Sequence, residues 1–172
     1  MTARIRSALT LTALVVLLLG SVMWGWSSLT RPLPQSVEVP VCTDTSVSKG
    51  TLVSPDMVAV SVYNASKRNG LASKTLSLLV TRGFVPADTG NAPEGTSVKG
   101  VQIWAKNKNN PAVQLVGSHF RNARVVEGPD LGPGVVVVVG DGFTSLRGAK
   151  KSPETVGVES NATICMAPEQ IS

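Results

Sequence analysis

Residues 58–84, VAVSVYNASKRNGLASKTLSLLVTRGF, decide how the rest of this chain is read. Val58, Val60 and Val62 alternate with small residues, the two-residue period of a half-buried strand. Asn64, Ala65, Ser66, Lys67, Arg68, Asn69 and Gly70 then break that period with turn formers. From Leu71 the period lengthens. Leu71, Ala72, Thr75, Leu76, Leu79 and Val80 share one helical face, with Ser73, Lys74, Ser77 and Thr81 on the other. Gly83 falls where a helix takes a left-handed C-terminal residue, and Phe84 where its ring can fold back onto the last turn. The stretch predicts a strand, a turn, a helix and the start of a second strand.

The same order recurs toward the C-terminus. Val85–Gly90 reads as a short strand, followed by the loop NAPEGTSVKG. Val101, Ile103 and Ala105, with Gln102 and Trp104 between them, predict another strand, and Lys106–Asn110 another polar turn. Pro111 suits the first turn of a helix, where its missing N–H costs nothing. Ala112, Val113, Leu115, Val116 and Phe120 supply that helix with a short apolar stripe. Arg124–Glu127 predicts a short strand and GPDLGPG a loop. The five valines of Val135–Val139 predict a strand covered on both faces, in the middle of a sheet or under helices. The order β-α-β-β-α-β-β, about five strands in one sheet with two helices, predicts an α/β two-layer sandwich.

Toward the N-terminus, Ala8–Trp26 carries no charge and is long enough for a bilayer core of about 30 Å. Arg4 and Arg6 precede it, which orients the N-terminus to the cytoplasm and the remainder outside. Trp24 and Trp26 fall where an aromatic belt anchors such a helix. The small residues of a signal-peptide cleavage site are missing there, so an uncleaved anchor is expected over a cleaved leader. Arg31–Pro40, RPLPQSVEVP, has three prolines and predicts a stiff extended spacer. The expected layout is a cytoplasmic tail at 1–7, a transmembrane signal anchor at 8–29 and an extracytoplasmic linker with Cys42 at 30–57. A domain at 58–147 and a tail with Cys165 at 148–172 follow.

Cys42 and Cys165 bracket the extracytoplasmic part, in a compartment where thiols are oxidised. An internal bridge is expected, over two free thiols or a bridge between chains. Its loop would exceed a hundred residues and contribute about 4–5 kcal/mol by chain entropy. Neither Cys-X-X-Cys redox chemistry nor a zinc site fits the spacing. From Arg31 onward fourteen Lys/Arg face eleven Asp/Glu, a surplus of only three, and two of the three Trp lie in the apolar segment. That balance argues against nucleic acid as a partner.

Several of these motifs, in this order, resemble the LytR C-terminal domain family. They are Asn64-Ala65-Ser66 at the strand end, Gly70-Leu71-Ala72 at the helix start, and Gly83-Phe84 at its close. VQIWAK at 101–106 and VVVVVGDGF at 135–143 match the family's third strand and closing run. Gly142 directly precedes Phe143 and Asp141 stands one position early, so the role of the family's Asp is not carried over. The resemblance spans Val58–Leu146, and the layout resembles that of a standalone, membrane-anchored, actinobacterial form. It implies extracytoplasmic cell-envelope work without a known reaction. The LytR–CpsA–Psr phosphotransferase domain that accompanies this domain elsewhere, with its clusters of Arg and Asp, is not expected within these residues.

The candidate site is the turn itself. Asn64, Ser66, Lys67, Arg68, Asn69 and Gly70 precede a helix N-terminus, where backbone N–H groups attract anions and two cations stand beside them. A lipid phosphate, a wall polymer or an acidic patch on a partner is the expected occupant. The plainer reading makes Asn64 or Asn69 a helix cap and leaves Lys67 and Arg68 solvated. His119, the single histidine, has no triad partners in sequence and reads as a surface or dipole-compensating residue. Asn64-Ala-Ser and Asn161-Ala-Thr match the glycosylation pattern by coincidence. No catalytic residue, metal or cofactor is expected. Two functions fit: a non-catalytic module that binds or organises envelope-biosynthesis proteins, or direct binding of an anionic cell-wall or lipid-linked glycopolymer.

Overall fold

The computed structural model describes residues 2–29 and 41–167, with side chains of the first segment at 8, 9 and 11–26. The spacer at 31–40 lies outside the described residues. Two compact units result, 1–39 and 40–172. The first contains α1, Thr2–Leu29. Its leucines and valines are exposed all round, from Leu9 at 67% to Val22 at 58%. Among the described residues, no helix is long and apolar enough to cross a membrane. The transmembrane assignment of 8–29 is therefore no part of the observed fold.

The second unit is built on one five-stranded sheet. Its strands are β3 (Ala59–Asn64), β4 (Val85–Asn91), β5 (Val101–Trp104), β6 (Ala123–Val126) and β7 (Val135–Val139), in the spatial order β4-β3-β7-β5-β6. β3 runs parallel to β4 and β7, β5 runs parallel to β6, and β5 meets β7 antiparallel. The valine run therefore occupies the centre, and all five residues are buried. Pro86 lies in β4, an edge strand, where a missing N–H leaves no ladder bond unmade in the interior.

The helices α2 (Leu71–Val80) and α3 (Pro111–Ser118) cover one face. Val60 and Val62 of β3, Val101 and Ile103 of β5, and Val135, Val137 and Val139 of β7 meet Leu71, Leu79, Leu115 and Val116 there. The alternate residues Tyr63, Val136 and Val138 face the other way and pack with Val98, Leu131 and Trp104. Two loops cover that second face, so the α/β arrangement has one helical layer. Gly83, at φ 91°, ends α2 as its position in the sequence predicts, and Phe84 is buried behind it. Val80 departs from the expected stripe and is 42% exposed. At about 100° per residue it lies roughly 120° from the centre of the face made by Leu71, Ala72, Thr75 and Leu79.

The segments read as linker and tail also fold. β1 (Thr43–Val47) pairs antiparallel with β9 (Ala162–Met166), and β2 (Leu52–Val53) pairs with β8 (Val156–Gly157). Val47, Val53, Val158, Ile164 and Met166 join the helical-side core. Cys42 and Cys165 form a disulfide with their Cα atoms 5.2 Å apart, closing this ribbon.

Candidate functional site

The turn after β3 is held by its own polar groups. The Asn64 carboxamide donates to the Arg68 carbonyl at 2.8 Å and accepts from the Ser66 N–H at 2.9 Å and the Ser66 hydroxyl at 2.7 Å. The Ala65 N–H donates to the Val139 carbonyl at 2.8 Å, and the Arg68 N–H to Ser66 Oγ at 3.1 Å. The Lys67 N–H meets the Asp141 carboxylate at 3.1 Å. Four successive donors that could face an external anion are thus turned inward, and Asp141 is an internal anion among them. Its position one residue early in the closing motif does not keep it from this turn.

Arg68 is exposed but tied down. Its guanidinium donates to the Phe143 carbonyl at 2.7 Å and more weakly to the Asp141 carbonyl at 3.4 Å, stapling the turn to the chain after β7. The helix behind begins at Gly70, with φ 71° and no side-chain cap, so neither Asn64 nor Asn69 caps it. Lys67, Asn69 and Gly70 remain exposed on the rim.

A roomier feature lies at the other end of β7, where Trp104 of β5 pairs with Val136. A groove of about 730 Å³ opens there between three walls. The first wall is the end of β5 and the following turn, with Trp104, Lys106 and Asn110. The second is the loop 128–134, which brings Asp130. The third is the disulfide and its neighbours on β1 and β9. Asn110 caps α3 by accepting from the Ala112 N–H at 3.0 Å, and its amide donates to the Thr163 carbonyl at 2.8 Å. One residue thereby starts the helix and ties it to the ribbon. Pro111 takes the first helical position, as its sequence placement predicts.

The loop wall is strapped to the sheet from beneath. Ser61 donates to the Pro133 carbonyl at 2.6 Å. The Tyr63 hydroxyl lies 2.7 Å from Asp88 Oδ2 and also against the Leu131 carbonyl. Burial pushes the Tyr63 pKa up to about 12, reinforced by its hydrogen bond to Asp88 and the charges of Asp88 and Asp130. Gly128 lies on the Trp104 ring so closely that a Cβ there would overlap it. The Trp104 indole N–H donates to Gln102 at 3.1 Å, which fixes the ring. Sequence reasoning missed this groove because its walls are far apart in the chain. Trp104, an aromatic on the less covered face of a strand, is the one signal that pointed there.

His119 is buried rather than surface-exposed, at 4% exposure, with its ring edge-on to Phe84 at 4.9 Å. Neither ring nitrogen meets hydrogen-bond geometry with a protein group. Burial lowers its pKa, the Pro153 backbone partly opposes that, and the charge of Arg82 lowers it further. The helix-end position misleads because the chain after β7 folds over it, with the Arg147 N–H donating to the His119 carbonyl at 2.8 Å.

The architecture is that of a small α/β domain with a parallel-antiparallel sheet, one helical face and a clasp between its ends. Residues 57–143 match the LytR_C family model, described as LytR cell envelope-related transcriptional attenuator, and the chain belongs to that family. Similar solved structures include the soluble domain of a conserved hypothetical secreted protein, an Rv2700 ortholog from Mycobacterium marinum. It is 21% identical at a TM-score of 0.48, over 63% of this chain and 77% of that one. The C-terminal domain of RV0431 is 26% identical at a TM-score of 0.34, over 64% of this chain and 96% of that one. No curated protein matches the chain.

Proposed function

We propose that this protein is a non-catalytic, membrane-anchored module that holds its LytR_C domain outside the cell membrane and binds or organises envelope-biosynthesis proteins. The observation that carries the reading is the groove at the end of β5. It is built on a domain of a cell-envelope family, with a fixed indole on one wall and a disulfide on another. A fixed aromatic beside polar groups suits recognition, because it offers apolar area at little entropic cost. The anchor reading is supported by the sequence: the run Ala8–Trp26 carries no charge, and Arg4 and Arg6 precede it. The layout resembles that of the actinobacterial envelope integrity protein Cei, and that resemblance favours a role in envelope maintenance.

A photo-crosslinking residue at 106, on the groove, and another at 74, on the polar face of α2, tests this in living cells with the full chain. Membrane-protein partners captured from 106 and not from 74 support the reading. Equal capture from both positions refutes it. For the anchor, the full chain should stay with membranes through a carbonate wash and retain its first residues, whereas release or cleavage after Trp26 refutes it. The alternative, direct binding of an anionic wall or lipid-linked glycopolymer, has its own support elsewhere on the domain. That support is a basic hollow lined by Arg121, Arg147 and Lys151.

A further inference from the structure

The described residues carry thirteen Lys and Arg in the second unit, and one group of them shares a hollow. Beyond the end of α3, Arg121, Arg147, Gly148 and Lys151 line an open hollow of about 540 Å³, and none of these lining residues is acidic. Lys150 adjoins it in sequence.

The hollow is built rather than accidental in one respect: the main chain of its central arginine, Arg147, is held from two sides. The Arg147 N–H donates to the His119 carbonyl at 2.8 Å. The Arg82 guanidinium, reaching from the end of α2, donates to the Arg147 carbonyl at 2.9 Å. The Arg147 guanidinium in turn reaches the Arg121 carbonyl at 3.4 Å. Arg82, Arg147 and Arg121 thus form a chain of contacts in which two guanidiniums, those of Arg82 and Arg147, each rest on the main-chain carbonyl of the next arginine, while the Arg121 side chain stays exposed. Neutral carbonyls orient those two side chains without cancelling their charge. Arg68 offers a contrast, since there a carboxylate, Asp141, stands at the same turn. With no carboxylate among the lining residues, the hollow presents positive charge to solvent that favours an anionic ligand.

We infer that the hollow between Arg121, Arg147 and Lys151 is a binding site for phosphate groups, carried by a wall glycopolymer or by a lipid headgroup. The planar donor forks of two guanidiniums suit the several acceptor oxygens of a phosphate, and a flexible Lys at the rim adds a point charge. Repeated phosphates along one ligand would let a second group meet Lys150. This rests on the second reading above and names its ligand chemistry. It does not depend on the groove at the other site.

The test uses the full chain in neutral-detergent micelles, titrated with a fluorescent oligo(glycerol phosphate). Arg121→Gln with Lys151→Gln is the informative variant, because both side chains are exposed and neither donates one of the framework hydrogen bonds. It should weaken binding by about tenfold or more and flatten the dependence on salt, as loss of two phosphate contacts requires. Lys67→Gln, a cation on a different turn, should bind like the parent. An unchanged melting temperature in the double variant shows that binding and not folding was altered. Micelles doped with phosphatidylglycerol distinguish the sources. Competition with the oligomer identifies a lipid headgroup as a ligand, and lack of competition identifies the polymer. Oligomer binding that is absent in the parent, or unchanged in the double variant, overturns the inference. Crosslinking from position 106 should be unaffected by the double variant, so failure here is separable from failure of the groove reading.

Discussion

Removing the clasp should cost this domain more than any other change of two atoms. Cys42 and Cys165 are separated by 123 residues, so the bridge closes almost the whole second unit in the unfolded chain. The chain-entropy relation gives about 0.6 kcal/mol for closure itself and about 4.3 kcal/mol for that length, roughly 5 kcal/mol in all. That is an upper value, since an unfolded chain with residual structure loses less on cross-linking. For a unit of this size it corresponds to a fall in Tm of roughly 15–20 °C. The perturbation is Cys42→Ala, Cys165→Ala and the double variant. Alanine avoids burying a hydroxyl at Cys42, which is 7% exposed. All three should lose a similar amount, because each removes the same single bridge. The two substitutions should therefore be strongly non-additive. Differential scanning calorimetry of the full chain, with and without reductant, reads the effect, and reductant should lower the parent to the level of the variants. Local opening should come first at the β1–β9 ribbon, read as faster amide exchange at Thr45 and Thr163. A double variant within about 1 kcal/mol of the parent would refute the loop-entropy reasoning. Free thiols at both positions by mass spectrometry would refute the bridge itself.

Four further outcomes are expected. Asn64→Ala should cost about 1–2 kcal/mol, since its carboxamide makes three bonds that shape the turn. Arg68→Gln should cost about 1 kcal/mol through the lost Phe143 contact while Lys67→Gln costs almost nothing, which chemical denaturation resolves. His119 has a folded pKa below its unfolded value near 6.5, so the unfolded chain binds the proton first. Stability should therefore be complete above that unfolded value and decline as pH falls below it toward the folded pKa. His119→Phe should flatten that decline in urea titrations between pH 7.5 and 5; an unaltered slope would place its origin in other groups. Gly134, at φ 76°, has no room for a Cβ against the Ala59 carbonyl, so Gly134→Ala should cost about 3 kcal/mol or more by thermal melting.

Much of the fold was legible because it is written in local periodicity. The alternation of Val58, Val60 and Val62, the stripe from Leu71, the stop at Gly83 and the valine run each reflect an element whose own geometry sets the spacing. Pro111 worked for the same reason. The short ribbon strands were invisible: Thr43–Val47 and Ala162–Met166 are half polar, and Leu52–Val53 is two residues long. They become strands only because each finds its partner more than a hundred residues away, across the disulfide.

The site divided along the same line. Sequence alone singled out the Asn64–Gly70 turn, the two cysteines and the resemblance to the LytR C-terminal family, all of which depend on residues close together or on a pattern in order. Tertiary structure decided what those residues do. It turned the backbone donors of the turn onto Asn64, Asp141 and Val139, and fixed Arg68 on Phe143. It buried His119 under the chain after β7, and gathered Trp104, Asn110 and the disulfide around one groove. It also drew Arg82, Arg121 and Arg147 into one chain of contacts. The physical reason is one of range. Strand and helix periods are fixed by neighbours a few residues apart, whereas hydrogen-bond satisfaction, burial and electric field depend on whichever distant segment the closed chain brings alongside.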